Sequence, residues 1–106
     1  MSRALVSVPT TARRGEVIEI RAMAAHLMET GHRTDATGTT IPRNIIHRFV
    51  CTYDGDEIFS AVLFPAIAAN PFLAFTTTAT TSGVIAFSWF GDDGSVQQAT
   101  AEITVT

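Results

Sequence analysis

Apolar and polar residues alternate with a period of two along most of this chain, and the period of an amphipathic helix is nearly absent. The segment Glu16–Ala22 places Ile18, Ile20 and Ala22 on one face and Glu19 and Arg21 on the other. The segment Val84–Phe90 repeats the pattern, with Ile85, Phe87 and Trp89 sharing a face. The alternation therefore predicts an all-β protein.

Turn signals divide this pattern into seven strands. Tyr53–Asp56 and Gly91–Ser95 contain Asp-Gly pairs, which supply the positive φ angles that tight hairpins need. The predicted strands are Leu5–Val8, Glu16–Ala24, Asn44–Tyr53, Glu57–Phe64, Leu73–Ala79, Val84–Phe90 and Gln97–Thr106. Seven strands in about a hundred residues are typical of an immunoglobulin-like antiparallel β-sandwich.

A single domain spanning residues 1–106 is expected, because no linker, repeat or low-complexity tract divides the chain. Its length and 46% hydrophobic content suffice to bury roughly 65% of the unfolded surface. Trp89 is the expected core anchor. The segment from His26 to Pro42 exceeds ordinary hairpin length and predicts a surface loop.

Charge and hydropathy exclude several classes of partner. The net charge of -3, from 7 basic and 10 acidic residues, opposes binding to nucleic acid. The apolar run Val62–Ala69 contains Pro65 and is too short to cross a bilayer, so no membrane contact is expected. The first nine residues lack the apolar stretch of a secretory signal peptide.

The chain shows no catalytic motif. It has no nucleophile elbow, phosphate-binding glycine loop or Cys-x-x-Cys pair. Cys51 is the only thiol, and its position between Phe49 and Tyr53 in a predicted central strand indicates a buried, inert side chain. We therefore expect no catalytic residue and no enzyme activity.

A copper site is the main alternative from the residues alone. Met23, His26, Met28 and His32, with His47 further on, combine thioether and imidazole groups that suit Cu(I). The run has no repeated Met motif and no third soft ligand at strand spacing. We expect Met23 and Met28 to pack and His26 and His32 to be solvated, without metal or cofactor.

Two segments with little charge predict a surface for a partner protein. Pro65–Pro71 lies in a predicted connection but carries no charge. In Ile41–Ile46, adjacent Ile45 and Ile46 should point to opposite faces, so that one of them leaves the core. The candidate interface residues are Met28, Arg43, Asn44, Ile46, Pro65, Ile67, Asn70 and Pro71.

Six segments of the chain form a pattern in their order and spacing: Ala12–Ile20, Met28–Gly31, Ile41–Phe49, Phe64–Phe72, Asp93–Ser95 and Thr100–Val105. This pattern resembles the SoxZ family of sulfur-oxidation proteins. The resemblance runs from about Leu5 to the C-terminus and departs at Leu27, where proline is expected, and at Val62–Phe64.

The resemblance implies a role that the residues alone do not reveal. It implies a scaffold subunit, without cofactor, in a heterodimer with a SoxY-like subunit whose cysteine, on a glycine-rich C-terminal arm, carries thiosulfate-derived sulfur between sulfur-oxidising enzymes. This chain has no such arm, which agrees with the Z subunit. The resemblance also implies a periplasmic location, reached without a signal peptide of its own by co-export with the partner. A copper-binding protein and a general accessory β-domain remain the alternatives.

Overall fold

A computed structural model describes residues 3–65, 67 and 69–106, and every regular element among them is a β-strand. The all-β prediction is confirmed. The strands are β1 Arg3–Ser7, β2 Thr11–Ala12, β3 Val17–Ala25, β4 Ile46–Tyr53, β5 Asp56–Val62, β6 Phe72–Thr78, β7 Gly83–Gly91 and β8 Val96–Val105.

The strands form the two sheets of an immunoglobulin-like sandwich, as the sequence predicts. One sheet has the order β1-β3-β6, and the other has the order β2-β8-β7-β4-β5. All pairs are antiparallel except the short pairing of β2 with β8. The two-residue β2 is an eighth strand that the sequence did not reveal, because two residues are too few to show alternation.

Aromatic side chains fill the space between the sheets. Phe49, Phe87 and Trp89 are fully buried. The rings of Phe49 and Trp89 lie with their centroids 4.3 Å apart, and Phe59 of β5 stacks on Phe75 of β6 at 4.4 Å. Contacts of this kind add to the free energy gained from apolar burial. The prediction that Trp89 anchors the core is confirmed.

The predicted Asp-Gly hairpin joins β4 to β5. Asp54 and Gly55 have φ angles of 51° and 89°, as a two-residue turn with positive φ at both positions requires. The hydroxyl of Tyr53 donates to the carbonyl of Thr81 and accepts the N–H of Thr80. Tyr53 thereby ties this hairpin to the connection between β6 and β7.

The prediction that either Ile45 or Ile46 leaves the core is wrong. Both side chains are buried, with 0% and 1% of their surface exposed. Ile45 precedes β4, and the pairing of β4 with β7 shifts register between Ile46 and Arg48. The irregularity interrupts the alternation of β4 after Ile46, and strand alternation does not apply to Ile45, whose backbone bonds to Asp92, so both isoleucines can be buried.

The molecule is elongated, with extents of 59 × 20 × 18 Å. The antiparallel strand directions place the β3–β4, β5–β6 and β7–β8 connections at the same end. We call this the loop end, and it comprises residues 26–45, 63–65, 67, 69–71 and 92–95, the strand termini that they join, and Leu5, which lies opposite Met23 near the end of β3. All eight candidate interface residues belong to it.

Replacing Trp89 with alanine tests the core. We expect Trp89→Ala to lower the free energy of unfolding by about 3–5 kcal/mol, because it removes a fully buried ring and leaves a cavity. Val84→Ala, which truncates an exposed side chain on the same strand, should cost at most about 1 kcal/mol. Urea denaturation measures both values, and a similar loss in the two variants would contradict the core placement.

Candidate partner interface

The long loop between β3 and β4 begins with a buried methionine. Met28 has a φ of 56° and only 4% of its surface exposed, and its sulfur accepts the N–H of Ile46 at 3.3 Å. The Nδ1 atom of His26 accepts the N–H of Met28 at 2.9 Å. Two of the candidate copper ligands are therefore engaged with the backbone. Within the described residues, no group of three or more His, Cys, Asp or Glu side chains is arranged to hold a metal ion.

Asn70 fastens the β5–β6 connection to the end of β3. Its backbone N–H donates to the carbonyl of His26 at 2.7 Å, and its Oδ1 accepts the N–H of His26 at 2.9 Å. The φ of Asn70 is 53°, a left-handed conformation that asparagine tolerates better than most residues. The carbonyl of Pro71 accepts the N–H of Ala24 at 3.2 Å. These bonds fix Asn70 and Pro71 against the end of β3.

An ion pair fastens the other side of the loop end. The guanidinium of Arg43 donates to both carboxylate oxygens of Asp92, at 2.8 and 2.9 Å. The same carboxylate accepts the N–H of Ile45 at 3.1 Å, and the N–H of Asp92 donates to the Ile45 carbonyl at 2.9 Å. His47 Nδ1 lies 3.3 Å from Asp92 Oδ1, without the alignment of a hydrogen bond. The hydrogen bonds from Arg43 lower the pKa of the Asp92 carboxyl group.

A buried glutamine joins the two sheets at this end. Gln97 is only 7% exposed, and its Nε2 donates to the carbonyl of Ala25 in the opposite sheet at 3.1 Å. Its Oε1 and the indole N–H of its cross-strand neighbour Trp89 have no partner among the described residues. A cross-sheet hydrogen bond of this kind limits sliding of one sheet over the other.

Most of the large exposed apolar side chains gather at the loop end. The most exposed is Leu27, at 88%. Leu5, Met23 and Phe72 form a row across the three-stranded sheet, beside an open groove of about 230 Å³. Two other large apolar side chains, those of Val17 and Val84, are exposed elsewhere on the molecule. The exposed apolar residues of the loop end are Leu5, Leu27, Val62, Phe64, Ile67, Phe72 and Val96.

The structure corrects the set of candidate interface residues. The side chains of Met28, Ile46 and Pro71 are buried within the chain, so they support the surface from beneath and are not available to a partner. They are buried because the loops fold back on the core instead of extending from it. The other five, Arg43, Asn44, Pro65, Ile67 and Asn70, are exposed or half-buried. Ala66 and Ala68, inside the predicted segment Pro65–Pro71, lie outside the described residues.

Sequence reasoning missed the most exposed apolar residues of this surface. Leu27 stands in a polar loop, where no alternation marks it. Phe72 was detectable in principle, because it precedes Leu73 in a period-two pattern and must point away from the core. Leu5 faces outward for the same reason, opposite Met23.

Cys51 lies in the middle of the five-stranded sheet. Its neighbours across the strands are Phe59 of β5 and Phe87 of β7, and none of its surface is exposed. Burial raises the pKa of the thiol to about 12, because the charged thiolate would lose its hydration. The prediction that Cys51 is buried is confirmed, and the thiol is protonated at neutral pH.

The family model described as sulphur oxidation protein SoxZ matches residues 6–102. The chain belongs to the SoxZ family. The resemblance noted in the sequence is thus confirmed, and every segment that carries it falls within the match or overlaps its end. No curated protein matches the chain significantly.

Solved structures of other proteins share the fold. The sulfur carrier protein SoxY from Chlorobium limicola f thiosulfatophilum has a TM-score of 0.68 at 11% identity, over 97% of this chain and 78% of that one. Superoxide reductase (neelaredoxin) from Ignicoccus hospitalis has a TM-score of 0.70 at 16% identity, over 97% and 80%. A putative superoxide reductase from Thermotoga maritima reaches 0.75 at 14% identity, over 97% and 85%. At these identities the likeness concerns the fold alone.

In the part of the chain that the structure describes, no helix is long and apolar enough to cross a membrane.

The Arg43–Asp92 pair predicts a specific dependence of stability on pH. Because the pKa of Asp92 is lowered in the folded protein, its carboxylate stabilises the fold above the unfolded pKa of about 3.9. This stabilisation is lost as the pH falls through the lower, folded pKa. We expect Asp92→Asn to reduce the slope of unfolding free energy against pH below about pH 4. Denaturation at several pH values measures the slope, with Glu102→Gln as an exposed control; equal slopes in Asp92→Asn and the native protein would contradict the role of the pair.

Proposed function

We propose that this chain is the non-catalytic subunit of a heterodimeric sulfur carrier. Its partner is a SoxY-like protein whose cysteine holds thiosulfate-derived sulfur, and the heterodimer presents that sulfur to sulfur-oxidising enzymes. Membership of the SoxZ family supports the assignment to sulfur oxidation. The SoxY structure shares the fold, so the proposed heterodimer would combine two sandwiches of one type.

The burial of Cys51 is the observation that favours a scaffold over a carrier. A thiol must form a thiolate and reach its substrate before it can bond to sulfur. Cys51 is the only cysteine of the chain, none of its surface is exposed, and burial raises its pKa to about 12. A substrate-bearing thiol must therefore come from another chain.

The loop end is the proposed surface for the SoxY-like partner. It combines exposed apolar side chains, among them Leu27, Phe64 and Ile67, with neighbouring loop residues that hydrogen bonds tie to the strand ends. The hydrogen bonds of Asn70 and the Arg43–Asp92 pair hold the loops in place. A preorganised surface loses less conformational entropy on association than a mobile one.

A periplasmic location, reached by co-export with the partner, is part of the same proposal. It rests on the family assignment. Expression of the chain with and without its partner, followed by fractionation, tests it directly. Appearance in the periplasm should require the partner and the partner's signal sequence. Export of the chain alone would contradict co-export.

Introducing a charge at Ile67 tests the proposed interface. Ile67 is 39% exposed, so Ile67→Asp should leave the fold intact but weaken partner binding by about tenfold or more, because the carboxylate would be desolvated on docking. Val17→Asp is the matched control, since Val17 is exposed at the opposite end of the molecule. Calorimetric titration with the purified partner measures both. Equal weakening in the two variants, or none in either, would place the interface elsewhere.

Removing the thiol tests the scaffold role. We expect Cys51→Ser to leave sulfur turnover unchanged, while the fold loses about 1–3 kcal/mol if the new hydroxyl has no hydrogen-bond partner. Cys51→Ala separates loss of the thiol from the cost of burying a hydroxyl. Intact mass of both subunits after incubation with thiosulfate and the oxidising enzymes locates the sulfur. A substrate-dependent adduct on Cys51, with turnover lost in both variants, would identify this chain as the carrier.

A further inference from the structure

One long side of the sandwich is open. Strands β5 and β6 end their respective sheets on this side, where Phe59 stacks on Phe75, but the two strands do not pair with each other. An open groove of about 570 Å³ lies between them. Its lining includes Ile58, the acidic residues Asp54 and Asp56, and threonines of β6 and the turn that follows.

The outer edge of β6 offers unpaired backbone groups. The carbonyl of Pro71 accepts the N–H of Ala24, and the N–H of Ala79 donates to the carbonyl of Glu16, both in the ladder with β3. In an antiparallel pair, alternate residues direct their backbone groups to the partner strand. The odd-numbered residues of β6 therefore bond to β3. The groups that point away belong to Phe72, Ala74, Thr76 and Thr78, and no described strand lies on that side.

This edge lacks the usual protection against strand addition. Proteins guard exposed edges with charge, proline or a bulge. Strand β6 has no charged residue and no proline, and its register with β3 is unbroken. The neighbouring edge β5 begins with Asp56 and Glu57, and its pairing with β4 contains a register shift. An unguarded edge seven residues long is suited to pairing with another strand.

We propose that the β6 edge binds an extended segment of another protein, uncharged except for a basic first residue, which adds a fourth antiparallel strand to the sheet β1-β3-β6. Backbone pairing of this kind supplies affinity, while alternate side chains supply selectivity. The pairing is antiparallel because every pairing within this sheet is antiparallel. This inference does not rest on the sulfur-carrier proposal and holds whatever partner covers the loop end.

Acidic residues beside the edge indicate which charge the bound segment should carry. Asp54 and Asp56 line the groove beside Thr78, and no Lys or Arg lines it with them. An antiparallel segment begins at the Thr78 end, so its first residue should be basic. A second copy of this chain, pairing through its own β6, would instead bring Phe72 to that position. Asp54 and Asp56, which we call the acidic rim, therefore favour a partner other than a second copy of this chain. That partner carries a Lys or Arg at the start of the segment.

A short peptide tests the edge directly. The probe is a seven-residue peptide with lysine first and alternating valine and threonine after it, acetylated and amidated at its ends. Saturation of the native protein should slow amide hydrogen exchange by about tenfold or more at Phe72, Ala74, Thr76 and Thr78, with smaller changes in β1. Unchanged exchange at these four amides would overturn the proposal. Self-association that protects them without peptide would also overturn it, in favour of a second copy.

Two substitutions separate backbone pairing from charge. Thr76→Pro removes an outward N–H while leaving the ladder with β3, and should raise the peptide Kd by about tenfold. Thr76→Ser keeps the N–H and should bind normally. Asp56→Lys should reverse the preference, so that a peptide with glutamate first binds better than the lysine peptide. Equal affinity of Thr76→Pro and Thr76→Ser for the peptide would refute strand addition. If Asp56→Lys still bound the lysine peptide better than the glutamate peptide, the proposed role of the acidic residues in selecting the first residue would be refuted.

Discussion

The packing of Phe49 on Trp89 is the contact on which the rest of the molecule depends. The two strands that carry them, β4 and β7, pair in the centre of the five-stranded sheet, and both rings project into the space between the sheets. A single cysteine rules out a disulfide within the chain, so the sheets are joined by noncovalent contacts alone. The free energy that holds the sandwich together therefore comes mainly from burying these rings and the aliphatic residues around them.

The same core determines what Cys51 can do. Its flanking strands place Phe59 and Phe87 beside it, which makes the sulfur a small apolar filler of the sheet. A position that excludes water from the thiol also prevents its ionisation. The arrangement that makes the sandwich stable without a disulfide is thus also the arrangement that keeps this thiol protonated and away from solvent.

Alternation of apolar and polar residues made the main strands predictable. At the loop end, contacts between residues distant in sequence determine which side chains are buried. A period of two identified the inward faces of β3, β7 and β8, because in those strands each side chain is either in the core or in solvent. No such rule applied to Met28, which is buried through its bond to Ile46, or to Pro71, which the Asn70 turn places against β3. The candidate surface therefore stays a prediction, in which three of the eight named side chains face inward and the most exposed apolar side chain of the loop end, that of Leu27, was not included.

Phe72 is the residue at which the two proposed binding surfaces meet. It stands at the loop end, in the row with Leu5 and Met23, and it is also the first residue of the open edge of β6. The acidic rim lies at the far end of that strand, beyond Thr78, so the two surfaces differ in chemistry everywhere except at this ring. An occupant of the edge that contacts Phe72 changes the surface offered to a partner at the loop end. Because coupling between two binding sites is reciprocal, each partner then alters the affinity for the other by the same factor.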